Sequence, residues 1–123
     1  MASELRVTTV ANNAGTESVD TTYVINGSAK QWIRYGSDHI IDNSFSTSSL
    51  TDTATGKGTV ALSITMAVAD IIFGNNSQGS TSNTGKSIAC VNPTTTSYII
   101  ETYESDTLTD AYATTAVIFG DLA

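Results

Sequence analysis

The sequence predicts an all-β fold: a small antiparallel β-sandwich or barrel-like knob with an extended N-terminal arm. Three observations lead there. Ser and Thr fill 36 of 123 positions, and Thr is β-branched and fits a pleated surface. Charged residues are only 14 % of the chain, and the usual helix formers Lys, Glu, Leu and Arg are scarce. Apolar residues alternate over short runs bounded by turn residues, at a strand spacing that favours a sandwich or small barrel over βαβ units.

Residues 1–28 read as the arm. Leu5, Val7, Val10, Val19, Val24 and Ile25 are scattered among Thr, Asn and Gly with neither a helical nor a clean strand period. Asn12-Asn13-Ala14-Gly15 and Asn26-Gly27 are turn signals. Such a segment buries little within its own chain and orders against something else or not at all.

Residues 29–123 read as the knob. Gln31 to Tyr35 alternates polar and apolar between Gly27 and Gly36, a strand with Trp32 as a core or interface anchor. His39 to Ile41 is a short second strand, and Phe45 to Leu50 a third. Thr51 to Gly58, with two glycines, is a loop. Thr59 to Ile64 alternates, placing Val60, Leu62 and Ile64 on one side. Met66 to Asp70 is a bend or a single helical turn. Ile71 to Phe73 is a short apolar strand. Residues 74–86 hold three glycines and no apolar side chain, so they form a solvent loop. Ser87 to Val91 resumes a strand, which Pro93 ends. Ser97 to Tyr103 puts Tyr98 and Ile100 on one face. Glu104 to Asp110 is a polar turn, and Ala113 to Phe119 is the last strand.

Charge excludes some partners. With 5 basic and 12 acidic residues and a net charge of −7, the chain offers no footprint for a phosphate backbone or an anionic membrane, so no nucleic acid is expected. The longest apolar run is too short to span a bilayer, so no membrane insertion is expected. The N-terminus lacks the basic and apolar regions of a secretory signal.

No constellation for catalysis stands out, and no cofactor or metal is expected. The single Cys90 lies in an apolar run about fifty positions from the only histidine, His39, and reads as a small buried hydrophobe rather than a nucleophile. Glu101, Glu104 and Asp106 are the nearest approach to an acid–base pair. Asp38-His39-Ile40-Ile41-Asp42 is the one segment that gathers metal-type ligands, although a surface or interface histidine is the simpler reading. Asn75-Asn76-Ser77 matches a glycosylation acceptor, a triplet common by chance.

Several runs carry a resemblance. Asn13 to Val19 followed by Tyr23 to Lys30, then Gln31-Trp32-Ile33-Arg34-Tyr35, then Ile41-Asp42-Asn43-Ser44-Phe45-Ser46-Thr47-Ser48-Ser49-Leu50-Thr51-Asp52, and finally Ala116 to Ala123 resemble a domain family of phage tail-fibre and other virion proteins. The resemblance spans about residues 13–123, departs from the family pattern at an inserted Asn43 and at Lys57-Gly58-Thr59, and carries no catalytic residue. It implies a virion protein made in the bacterial host cytoplasm. By analogy with other phage fibre domains, it implies a homotrimer with an N-terminal attachment segment and a C-terminal knob. Leu5, Val7, Val10, Val19, Val24 and Trp32 are then the expected trimer or attachment contacts. Asn75, Asn76 and Gln78 of the polar 74–86 stretch, with Tyr98, Tyr103 and Tyr112, whose sequence neighbours are polar, are the expected outer contacts to a host surface glycan. Expected partners are the chain itself, other virion proteins of tail or capsid, and that glycan. Three functions follow: a non-enzymatic receptor-binding knob of tail-fibre type, a capsid decoration protein held by its arm, or a fibre-borne glycan depolymerase.

Overall fold

A computed structural model describes residues 7–11, 14–69, 72–78 and 86–123. Its strands are β1 (Thr9–Ala11), β2 (Ser18–Asp20), β3 (Gln31–Gly36), β4 (Ile41–Phe45), β5 (Thr47–Ala54), β6 (Lys57–Leu62), β7 (Ile72–Gln78), β8 (Ser87–Val91), β9 (Ser97–Glu104), β10 (Thr107–Leu108) and β11 (Ala113–Phe119), with one helix, α1 (Thr21–Gly27). The chain is all-β, and every strand pair is antiparallel.

Two main sheets share one core. The first runs β4-β3-β11-β7. In the second, β9 pairs β6, β8 and the short β10, and β6 pairs β5. Neither closes on itself, which removes the barrel alternative. Alternation explains the layering, because residues two apart share a face. Ile33 and Tyr35 of β3 and Ala116 and Ile118 of β11 face Val60 and Leu62 of β6 and Tyr98 and Ile100 of β9 in a single buried cluster with Met66. Phe73 meets Tyr98 edge-to-face, ring centres 5.7 Å apart. The Tyr98 hydroxyl donates to Gln31 Oε1 across the layers at 2.9 Å, and Gln31 Nε2 donates to Thr47 Oγ1 at 2.8 Å.

Several expected boundaries move. His39 is not in a strand: with φ 54° it sits in the turn that joins β3 to β4. The expected strand from Phe45 to Leu50 is broken at Ser46, φ 54°, where the chain leaves the first sheet and enters the second. The expected loop 51–58 is the end of β5 and the start of β6 around a two-residue turn at Thr55 and Gly56. Residues 74–78 belong to the edge strand β7 rather than to a solvent loop. An edge strand tolerates Asn and Gly because only one side of it must pair.

Residues 9–11 and 18–20 pair as a two-stranded hairpin, with Val10 opposite Val19. It is tied to α1, since Thr21 donates its backbone N–H to Thr8 O and its hydroxyl to Val7 O, at 2.9 and 3.0 Å. Seven residues of poor helix formers do not hold a helix alone. Its last turn is capped, because Lys30 Nζ and Ser28 Oγ both donate to Ile25 O.

Candidate functional site

At one end of the β4-β3-β11-β7 sheet an open cleft of about 260 Å³ lies between the β3–β4 turn and the start of β11. Each wall has a local cause. Arg34 points outward because Ile33 and Tyr35, its neighbours in β3, point into the core. Gly36 ends β3 and forms the floor. A Cβ there would lie 3.1 Å from Asp38 Oδ1 and 3.8 Å from Tyr112 O, so space rather than backbone conformation calls for glycine. Asp38 Oδ1 accepts the Ile40 N–H at 3.1 Å, an Asx turn that fixes the carboxylate. Asp42 is the extra residue of a β-bulge: Arg34 pairs Asn43 and Tyr35 pairs Ile41, leaving Asp42 without a cross-strand partner. Bulges re-aim a side chain in this way. Tyr112, just before β11, lines the cleft and is 58 % exposed.

The electrostatics are soft. Arg34 Nε stands 3.7 Å from Asp42 Oδ2, with both side chains more than half exposed, a pair worth about 0–1 kcal/mol. These groups remain available to a ligand. The turn beneath them is packed against the core through His39. The His39 ring is nearly buried, stacks on Tyr35 with centres 5.4 Å apart, and lies 3.8 Å from Asp52 Oδ2.

A second polar cluster occupies the outer face of the other sheet. Glu101 accepts from Lys57 Nζ at 2.5 Å and from the Tyr103 hydroxyl. These bonds hold the Glu101 carboxyl below its ordinary value and raise Lys57 and Tyr103. Glu104 accepts from Lys86 Nζ at 2.8 Å. A general acid needs a carboxyl whose pKa is raised. Glu101 is displaced the other way, and Glu104 already holds a lysine.

Cys90 packs against the core from β8, and burial pushes its thiol up, away from the reactive thiolate. Among the described residues no group of three or more His, Cys, Asp or Glu could hold a metal ion. No described helix is long and apolar enough to cross a membrane.

No family model, curated protein or solved structure matches the chain.

The expected contact residues scatter. Tyr98 is overturned as an outer contact. It is fully buried and bonded to Gln31, and burial raises its hydroxyl pKa. Tyr103 is half-buried in the Glu101 cluster, on the sheet opposite the cleft. Asn75 and Asn76 are exposed on β7, and Gln78 pairs with Ala113, itself a cleft residue. Tyr112 alone of the expected tyrosines reaches the cleft. Leu5 lies outside the described residues. Val7, Val10, Val19 and Val24 are 40–50 % exposed. Trp32 is half-buried on the outer face of β3, in register with Phe45 on one side and Val117 on the other. Arg34, Asp38 and Asp42 were not among the expected contacts. Their only signal was the spacing of the two aspartates around His39, which pointed toward metal rather than toward a cleft.

Proposed function

We propose that the chain is a non-enzymatic structural knob of a bacteriophage particle, a homotrimer of the tail-fibre, receptor-binding type that projects from the virion. The observation that carries this reading is the solvent-open cleft that pairs an exposed tyrosine ring with Arg34, Asp38 and Asp42 at one end of the knob. Aromatic rings flanked by a few placed polar groups are the usual composition of a recognition site. The trimer is supported by the apolar residues that the chain leaves uncovered. Val7, Val10, Val19, Val24 and Ile25 are exposed, and a two-stranded hairpin has marginal stability without a partner surface.

The same aliphatic residues favour a second reading, a capsid decoration protein gripping the head through residues 1–28. The two differ in location. Antibody against the chain, imaged by gold labelling of intact particles, should mark the tail fibres. Label on the capsid selects the decoration reading, and particles without label overturn both. Light scattering of the purified chain should give three times 12.8 kDa; a monomer overturns the trimer.

A further inference from the structure

We propose that the Arg34–Asp38–Asp42–Tyr112 cleft binds an uncharged, hydroxyl-rich ring, a neutral pyranose unit of a surface glycan. This assignment rests on the receptor-binding reading and adds the class of sugar. Four observations carry it. The volume, about 260 Å³, falls just below the roughly 300–1,000 Å³ of sites for drug-sized ligands, which suits a single ring. Tyr112 offers an exposed aromatic face, and a pyranose presents a face of C–H groups that loses water by stacking there.

The floor is clear, because Gly36 has no Cβ to crowd Asp38 and the Tyr112 carbonyl. The polar groups are also arranged in advance. Asp38 is oriented by the Ile40 N–H, and Asp42 is aimed by the bulge, so neighbouring hydroxyls of one ring can donate to the two carboxylates while Arg34 donates to a ring or hydroxyl oxygen.

Charge then selects among sugars. The cleft holds two carboxylates against one guanidinium, in a chain of net charge −7. A uronic or sialic acid would set a third carboxylate beside two others, an arrangement that like-charge repulsion opposes. A neutral hexose meets no such penalty and pairs both aspartates.

The test is an amide-shift NMR titration of the isotopically labelled full chain. The probes are methyl glycosides of glucose, galactose, mannose, rhamnose and N-acetylglucosamine, with methyl glucuronide as the anionic control. At least one neutral glycoside should shift the amides of residues 34–42 and 112–113 with a millimolar Kd, and the glucuronide should bind at least tenfold more weakly. Tyr112→Ala should weaken binding at least tenfold and Asp42→Asn severalfold, with the remaining spectrum unchanged. The proposal falls if no neutral glycoside shifts these amides, if the glucuronide binds equally well, or if Tyr112→Ala binds like the parent. Adsorption of the chain to intact bacteria separates the two claims. Cell binding unaffected by Tyr112→Ala removes the cleft but keeps the receptor reading. Glycoside binding without cell adsorption keeps the cleft and removes that reading.

Discussion

Tyr98→Phe tests the link that joins the two sheets. The substitution leaves the ring against Phe73 and deletes only the hydroxyl, which donates to Gln31 Oε1 at 2.9 Å. Both residues are fully buried, so water cannot replace the lost donor. An orphaned buried acceptor costs about 1–3 kcal/mol. Phe needs no hydroxyl desolvation on folding, which returns part of this, so about 1–2 kcal/mol of lost stability is expected. For a domain of this length that lowers Tm by about 4–8 °C. The double variant Tyr98→Phe/Gln31→Leu removes both partners. Thr47 Oγ1 then loses the Gln31 amide but stays part-exposed, within 3.5 Å of Trp32 O and Phe45 O. The double variant should therefore recover most of the loss, with a coupling of about 1 kcal/mol or more. Urea unfolding, with matched slopes, measures all three. A single variant costing under about 0.5 kcal/mol, or a double variant costing the sum of the singles, would refute the reasoning.

Other predictions use the same logic. Gly56 has φ +69°, and a Cβ there would lie 2.6 Å from Thr109 N and 2.8 Å from Thr102 O; Gly15 has φ +66° with nothing near. Gly56→Ala should therefore cost more than about 3 kcal/mol and Gly15→Ala about 1 kcal/mol, and equal values in urea unfolding would rule out the clash. Burial pushes Tyr35 up to about 12 and Tyr98 higher still. Both stay protonated in the fold while unfolded tyrosines ionise from 10.0, so stability should fall as pH rises from 10.0 through 12. Ultraviolet titration should show these two ionising only with unfolding; five phenols titrating reversibly in the folded chain would contradict it. Glu101 is held below 4.5 by Lys57 and Tyr103, so its contribution is complete above 4.5 and fades as pH falls through the lowered value. Glu101→Gln should flatten that acid limb of the stability curve, and an unchanged limb counts against the network. Gly58→Ala would bring a Cβ to 3.0 Å from His39 Cδ2 and from Leu50 Cδ1. It should cost about 1–2 kcal/mol and shift the amides of residues 36–42; shifts confined to β6 would break the proposed connection.

Strands that run through the core were legible as short β-branched and apolar runs between turn residues. Thr59 to Leu62 alternates in sequence and in burial, while Gln31 to Tyr35, Ser97 to Tyr103 and Ala113 to Phe119 show their period of 2 chiefly in burial. Tyr98 shows how the same pattern misleads. Its polar neighbour Ser97 points to the opposite face, so that polarity says nothing about where Tyr98 goes. The edges were harder to read. β5 and β7 pair through backbone groups that every sequence carries, and their side chains need not be apolar. Thr51 to Ala54 and Gly74 to Gln78 therefore looked like loops. The crossing at Ser46 and the turn at His39 depend on positive φ at residues that rarely adopt it. The cleft joins residues 34–42 to residue 112, a proximity that only the pairing of β3 with β11 creates.

The cleft arises from three local departures from a regular sheet, each held in place by regular structure behind it. Gly36 omits a side chain, His39 takes a left-handed turn, and Asp42 occupies a bulge. The bulge at Asp42 falls beside Asn43, which pairs with Arg34. A one-residue slip in a strand inverts every later side chain; here the extra residue is taken up as a bulge, with Ser44 opposite Ile33 and Phe45 opposite Trp32. Left-handed backbone at a non-glycine residue costs about 1–3 kcal/mol and persists only where its surroundings over-determine it. At His39 they do: the ring is wedged between Tyr35, a core residue, and Gly58 of the opposite sheet. The turn that carries Asp38 is thereby pinned to both layers through its own middle residue. Packing in the core thus stands behind the turn that carries Asp38, while Arg34 and the bulge-placed Asp42 stay exposed beside it.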